Sequence, residues 1–184
     1  FNAMSFMRSM QARKKFVQNH PEKIRIAKEI IKYRSNKKIV TFNANVKMAE
    51  SYGSGYVYTG KDGKKKNRIT LEEFSGLPSG ELHSCRMAIE GLDVPDLSVG
   101  IQTGVDSSKT KACQSLGRVV RLQKNKTAEF FTLVINDTVE TKWMENAKKD
   151  SKVEIIDVEN LMHVLKGEPY ELYKKKITNF TFRF

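Results

Sequence analysis

Between Thr110 and Arg121 the chain reads TKACQSLGRVVR. In a helix, Gln114, Arg118 and Arg121, spaced i, i+4, i+7, share one face with Lys111, while Ala112, Leu116, Val119 and Val120 fall on the opposite face. One side is then a core stripe, and the other sets two guanidinium groups beside an amide. Gly117 costs a helix about 1 kcal/mol relative to Ala, so its place beside the polar face points to close approach by another backbone or a ligand. Two arginines one turn apart can grip the oxygens of a transferring phosphoryl group, and an arginine supplied to that charge is worth on the order of 10³ to 10⁵ in rate. The plainer reading is a basic surface helix.

A second pattern, GYVYTGKD over Gly55–Asp62, has the G-x-x-x-x-G-K spacing of a phosphate-binding loop, with Asp62 where Ser or Thr would ligand Mg²⁺. In a working loop the strand ends before the first glycine and the intervening amides surround phosphate. Here Tyr56, Val57 and Tyr58 are themselves the strand candidates. The pattern predicts a strand with Thr59, Gly60 and Lys61 at its C-terminal end, followed by a basic loop, Gly63–Lys66. A small kinase built on Gly55–Lys61 is disfavoured on these grounds.

Metal chemistry has weaker support. His83 and Cys85 flank Ser84, but no second pair of ligands lies nearby, so they are read as core or site-lining residues and no metal is assigned. Val153–Asp157 mimics a strand ending in a metal-binding Asp, yet Asp157 is better placed to cap a helix starting at Val158 or Glu159. The two cysteines, Cys85 and Cys113, form no C-x-x-C pair, which suggests neither a zinc cluster nor a disulfide framework and fits a reducing, cytoplasmic location.

The 33 Lys and Arg against 21 Asp and Glu leave a formal charge of +12, the footprint of a polyanion binder, with nucleic acid the first expectation and merely solvated lysine-rich faces the alternative. If the positive face meets several phosphates, affinity should fall steeply with salt. The apolar runs are far shorter than the roughly 20 residues that span a bilayer, and Phe1–His20 lacks a signal peptide's apolar core, so no membrane role is expected. Asn2-Ala3-Met4 reads as a cloning scar ahead of a start Met, which makes the chain an expected piece of a longer protein.

The 184 residues suit one core. Residues 1–20 are expected to be a helical extension. After Pro21, Ile24, Ala27, Ile30 and Ile31 recur at helical spacing. Ile39–Phe42 is a short buried-strand run, Asn45 caps a helix to Ser51, and Tyr56–Tyr58 is a strand. A helix over Lys65–Phe74 and strands at Leu82–Cys85 and Leu97–Thr103 follow, then a helix from Ser107 or Ser108 to about Leu122. A strand at Ala128–Ile135, a helix at Thr138–Lys148, a strand at Val153–Ile156 and a helix at Glu159–Leu165 complete the alternation. This is an α/β pattern: a parallel β-sheet with helices on both faces, a three-layer sandwich. The tail 169–184, with ITNFTFRF at Ile177–Phe184, could add an edge strand or dock on a partner domain.

The segment Gln114–Arg121 resembles motif VI, Q-x-x-G-R-x-x-R, of superfamily 2 helicases. Upstream, Ser84-Cys85-Arg86-Met87-Ala88-Ile89-Glu90-Gly91-Leu92-Asp93-Val94-Pro95-Asp96-Leu97 looks like the same family's motif V, with Cys85, which has no hydroxyl to offer nucleic acid, in place of the usual Thr. Lys37–Asn45 resembles motif IV, and Lys124–Glu129 carries similar phrasing. The resemblance covers roughly residues 20 to 160 and is nearest to the bacterial and phage DNA repair and branch-migration type, since motif VI of the RNA-remodelling DEAD-box type usually starts with His.

The resemblance implies a second RecA-like domain, residues 21–168, of a two-domain motor. Arg118 and Arg121 would reach ATP phosphates across the interdomain cleft and Gln114 would couple nucleotide to the facing domain. Asp93, with Gly91 and Glu90, would sit at the nucleotide, Asp93 bonding the ribose or nearby waters. Ser84, Cys85 and Arg86, helped by Asn43 and by Thr59, Gly60 and Lys61, would track the nucleic-acid backbone with little sequence preference. The cofactor would be ATP with Mg²⁺, bound mainly by the missing first RecA-like domain of the same polypeptide. The partners would be that domain and DNA, RNA also fitting, with a monomeric chain and no membrane. Alone, the chain would hydrolyse no ATP. The rival is a non-enzymatic nucleic-acid-binding module on a RecA-like scaffold, resting on Lys61, Lys64, Lys65, Lys66 and Arg68.

Overall fold

A computed structural model describes residues 3–85, 94–104, 128–148 and 154–172. The first helix, α1 (Ala3–Gln18), buries no side chain, and Lys14 lies over the Trp143 ring at 5.7 Å. α2 (Pro21–Tyr33) starts at a proline whose fixed φ and missing N–H suit a first helical turn, and His20 Nδ1 accepts the Glu22 N–H at 3.3 Å. β1 (Lys38–Asn43) is buried at every residue. Asn45 caps α3 (Val46–Glu50) by accepting the Met48 N–H at 3.0 Å, as its residue type predicts.

β2 (Tyr56–Tyr58) and a 3₁₀ turn (Gly60–Asp62) lead into α4 (Gly63–Gly76), then β3 (Gly80–Cys85) and β4 (Leu97–Gln102). β5 (Glu129–Thr132), α5 (Val139–Lys148), a 3₁₀ turn (Val158–Asn160) and α6 (Leu161–Lys166) follow. The strands form one sheet in the order β2-β3-β1-β4-β5, with every neighbouring pair parallel.

Strand alternation sends β1 side chains to opposite faces. On one face Val40 and Phe42 pack with Leu82, Leu97 and Phe74 of α4. On the other, Ile39, Val99 and Ile101 pack with Ala27 and Ile30 of α2 and Leu161 and Leu165 of α6. Each such fully buried aliphatic or aromatic side chain contributes about 1.5–3 kcal/mol. The two half-cores make the three-layer α/β sandwich that the alternation predicts. Among the described residues, no helix is long and apolar enough to cross a membrane.

Three expectations are corrected. Residues 154–157 form no strand, because apolar character alone supplies no ladder partner there. The strand expected to run from Ala128 to Ile135 pairs only over Glu129–Thr132. Asp157 does precede a helical turn, but its side chain makes no capping bond; the turn is closed by the Asn160 N–H on the Asp157 carbonyl at 3.0 Å. The expected helix over 107–122, the motif V loop 86–93 and the tail 177–184 lie outside the described residues.

Candidate functional site

All five strands point the same way, so their C-terminal ends share one edge of the sheet, the place where open α/β sheets bind ligands. Register sets Asn43 opposite Cys85, Phe42 opposite Ser84 and Gln102, and Tyr58 opposite Ser84. The expected contact residues Asn43, Thr59, Gly60, Lys61, Ser84 and Cys85 therefore lie along one edge. Gln114, Arg118, Arg121, Glu90, Gly91, Asp93 and Arg86 lie outside the described residues.

Not every member faces outward. Asn43, Thr59 and Ser84 are fully buried and Cys85 nearly so. The Ser84 hydroxyl donates to the Thr41 carbonyl at 2.9 Å. The Asn43 amide donates to Thr41 Oγ1 at 2.8 Å and to the Ser84 carbonyl at 3.1 Å. Its oxygen accepts from the Tyr52 hydroxyl at 3.1 Å and from Thr103 Oγ1 at 2.9 Å. The side chains of Asn43 and Ser84 thus hold strand ends together, whereas Lys61 stays exposed, 3.2 Å from Glu50.

The network continues through His83. Its Nε2 lies 3.0 Å from the Ser54 carbonyl and its Nδ1 3.0 Å from Thr41 Oγ1. A carbonyl can only accept, which puts the proton on Nε2 and makes Nδ1 the acceptor of the Thr41 hydroxyl. Tyr52 stacks on the imidazole at 3.9 Å and 5°. Burial, outweighing the Ser54 carbonyl, holds the imidazole neutral by pushing its pKa down to about 4; burial also raises the Tyr52 phenol well above its ordinary value. Gly55 is needed beside this pair: its φ is +73°, and a Cβ there would meet the Glu81 carbonyl at 2.8 Å.

At the β4 end, Lys23 and Glu140 form an ion pair with side chains 1% and 0% exposed. Lys23 Nζ lies 2.7 Å from both Glu140 oxygens and donates to the Thr103 carbonyl at 3.0 Å; Glu140 Oε2 also accepts the Ile135 N–H at 3.1 Å. The sequence reading missed Lys23, Thr41, Tyr52, Thr103 and Glu140. A signal existed for Lys23, which sits at i, i+4, i+7 with Ala27 and Ile30 and so points into the core.

At the β2 end, Thr59 Oγ1 donates to Asp62 at 2.8 Å and Lys66 Nζ to the same carboxylate at 2.6 Å, which together hold the Asp62 carboxyl below its ordinary pKa. Residues between the glycines of Gly55–Asp62 form β2, and the Asp62 carboxylate is occupied by side chains. The described residues of this loop therefore do not fit ATP phosphates or Mg²⁺.

Residues 1–158 match the family model described as the ERCC3/RAD25/XPB C-terminal helicase. The chain is 29% identical over 125 residues to the DNA 3'-5' translocase XPB2 of Sulfurisphaera tokodaii, a match covering 66% of this chain and 28% of that relative's length. Among solved structures it is similar to S. cerevisiae Dbp5 bound to RNA and ADP BeF3, with a TM-score of 0.66, 16% identity and coverage of 80% of this chain and 41% of that one. It is also similar to Mss116p DEAD-box helicase domain 2 bound to an RNA duplex, with a TM-score of 0.57, 20% identity and coverage of 80% and 64%. These structural likenesses establish the RecA-like fold. The XPB-type match corrects the expectation of a bacterial and phage branch-migration type.

Proposed function

The chain belongs to the ERCC3/RAD25/XPB C-terminal helicase family, and from that premise we propose that it is the second RecA-like motor domain of an ATP-dependent superfamily 2 translocase acting on DNA. The observation that carries this reading is the placement of β4. The chain leaves the sheet after Gly104, on the edge where the β1, β2 and β3 ends gather, and enters the segment that holds Gln114, Arg118 and Arg121.

In this proposal Arg118 and Arg121 stabilise the charge of the transferring phosphoryl group, Gln114 couples it to the facing domain, and Glu90, Gly91 and Asp93 meet the nucleotide. ATP with Mg²⁺ is held mainly by the first RecA-like domain of the same polypeptide. Gly60, Lys61 and Arg86 track the DNA backbone, while Asn43, Thr59, Ser84 and Cys85 set the strand ends that carry them. Two arginines beside an amide favour a motor half over a passive binding module, which needs cations but no such arrangement.

Arg118→Ala in the full-length polypeptide tests the reading. DNA-stimulated ATP turnover should fall by on the order of 10³-fold with DNA affinity nearly unchanged. Turnover at the unmutated rate would overturn it.

A further inference from the structure

Lys23 is among the largest fully buried side chains of the described residues, and its ammonium joins three parts of the chain: α2, the end of β4 and the start of α5. A buried ion pair offsets its own desolvation cost only in good geometry, and replacing such a pair by apolar groups is often neutral or stabilising. Stability alone therefore does not explain an ammonium equidistant, at 2.7 Å, from both oxygens of Glu140.

What the pair does hold is the point where the chain leaves the sheet. The Thr103 carbonyl accepts from Lys23 Nζ at 3.0 Å, the Thr103 N–H donates to the Phe42 carbonyl at 3.0 Å, and Thr103 Oγ1 donates to Asn43 at 2.9 Å. The Gly104 carbonyl accepts from Gln102 Nε2 at 3.2 Å. Gly104 itself is pressed on β1: a Cβ there would lie 2.8 Å from the Ala44 backbone. Thr103–Gly104 is thus held by α2 through Lys23, by β1 through Phe42 and Asn43, and by the close approach to Ala44. β4 and β5 are parallel neighbours, so the connection carrying Gln114, Arg118 and Arg121 departs from this fixed point and returns at the opposite edge at Ala128.

We propose that Lys23, through Glu140 and the Thr103 carbonyl, is a positioning residue for ATP turnover: it fixes the departure point of the segment that carries the arginines. This rests on the arginine role proposed above. Among the described residues Lys23 Nζ meets the Glu140 carboxylate and the Thr103 carbonyl, and in this proposal it acts through the backbone it holds. A misplacement of about 1 Å far from the chemistry can cost on the order of 10²-fold in rate.

The test uses the full-length polypeptide, with DNA-stimulated ATP hydrolysis and thermal melting measured on the same preparations. Lys23→Met combined with Glu140→Leu replaces the pair by apolar side chains. The expected result is melting close to wild type, kcat per folded molecule at least about tenfold lower, and KM for ATP changed less than about threefold. Should the double variant fail to fold, Glu140→Gln, which keeps an acceptor for Lys23, is expected to lower kcat per folded molecule about threefold with the same KM pattern. Wild-type kcat per folded molecule in a folded variant overturns the positioning role. Arg118→Ala in the same assay separates the two readings. If it abolishes turnover while the Lys23 variants turn over normally, only the positioning role fails; if it turns over normally, the arginine role itself fails.

Discussion

The two edges of the sheet are both tied by charge, and they are built differently. At the C-terminal edge Lys23 and Glu140 are sealed from water and bonded onward to Thr103 and Ile135. At the N-terminal edge Glu129, at the start of β5, accepts from Arg34 at 2.7 and 2.8 Å and from Lys37 at 3.0 Å, with side chains 14%, 36% and 29% exposed for Arg34, Lys37 and Glu129. Water can replace any partner there. A wet pair tolerates error, whereas a dry pair permits one arrangement, and the dry pair is the one beside the end of β4.

The difference is broken most severely by Lys23→Met alone, which takes the Lys23 ammonium away from the buried Glu140 carboxylate. The fold should lose about 3–5 kcal/mol in urea unfolding. A loss below about 1 kcal/mol would mean that the Lys23–Glu140 pair is not dry.

His83 gives the next largest effect. The free imidazole titrates near 6.5 and the folded one at about 4. Between those values the unfolded chain binds a proton that the fold refuses, so this contribution is whole above pH 6.5 and is lost as pH falls. About 3 kcal/mol should be gone by pH 4. Urea unfolding at pH 7 and pH 4 in wild type and His83→Gln checks this; the same acid loss in both proteins would clear His83 of it. The smallest effect belongs to the wet pair: Glu129→Gln should cost about 1 kcal/mol at low salt and much less at 1 M. A cost as large as that of Lys23→Met would erase the contrast between the two pairs.

Local features were readable from the sequence and distant ones were not. Asn45 capping α3, Pro21 opening α2 and Tyr56–Tyr58 as a strand each depend on neighbours within a turn. The false phosphate loop was legible for the same reason, since a strand between its glycines leaves no turn to surround phosphate. The motif residues were found as strings, but a string does not say that Asn43, Thr59 and Ser84 turn inward. For Asn43 and Ser84 that follows from the parallel register, which sets β1 between β3 and β4, and for Thr59 from its bond to Asp62. The Lys23–Glu140 pair spans 117 positions and the Asn43–Thr103 bond 60, and no periodicity links such residues. Residues 154–156 fail as a strand for the complementary reason: their pattern is local, but a ladder needs a partner.

The central claim, that this chain is the half of a motor that supplies arginines and not the half that holds ATP, meets its most direct test in one assay. ATP hydrolysis by the isolated 184-residue chain, with and without DNA, should stay at the uncatalysed background while the full-length polypeptide shows DNA-stimulated turnover. Clear DNA-stimulated turnover by the isolated chain, lost in Arg118→Ala, would contradict it.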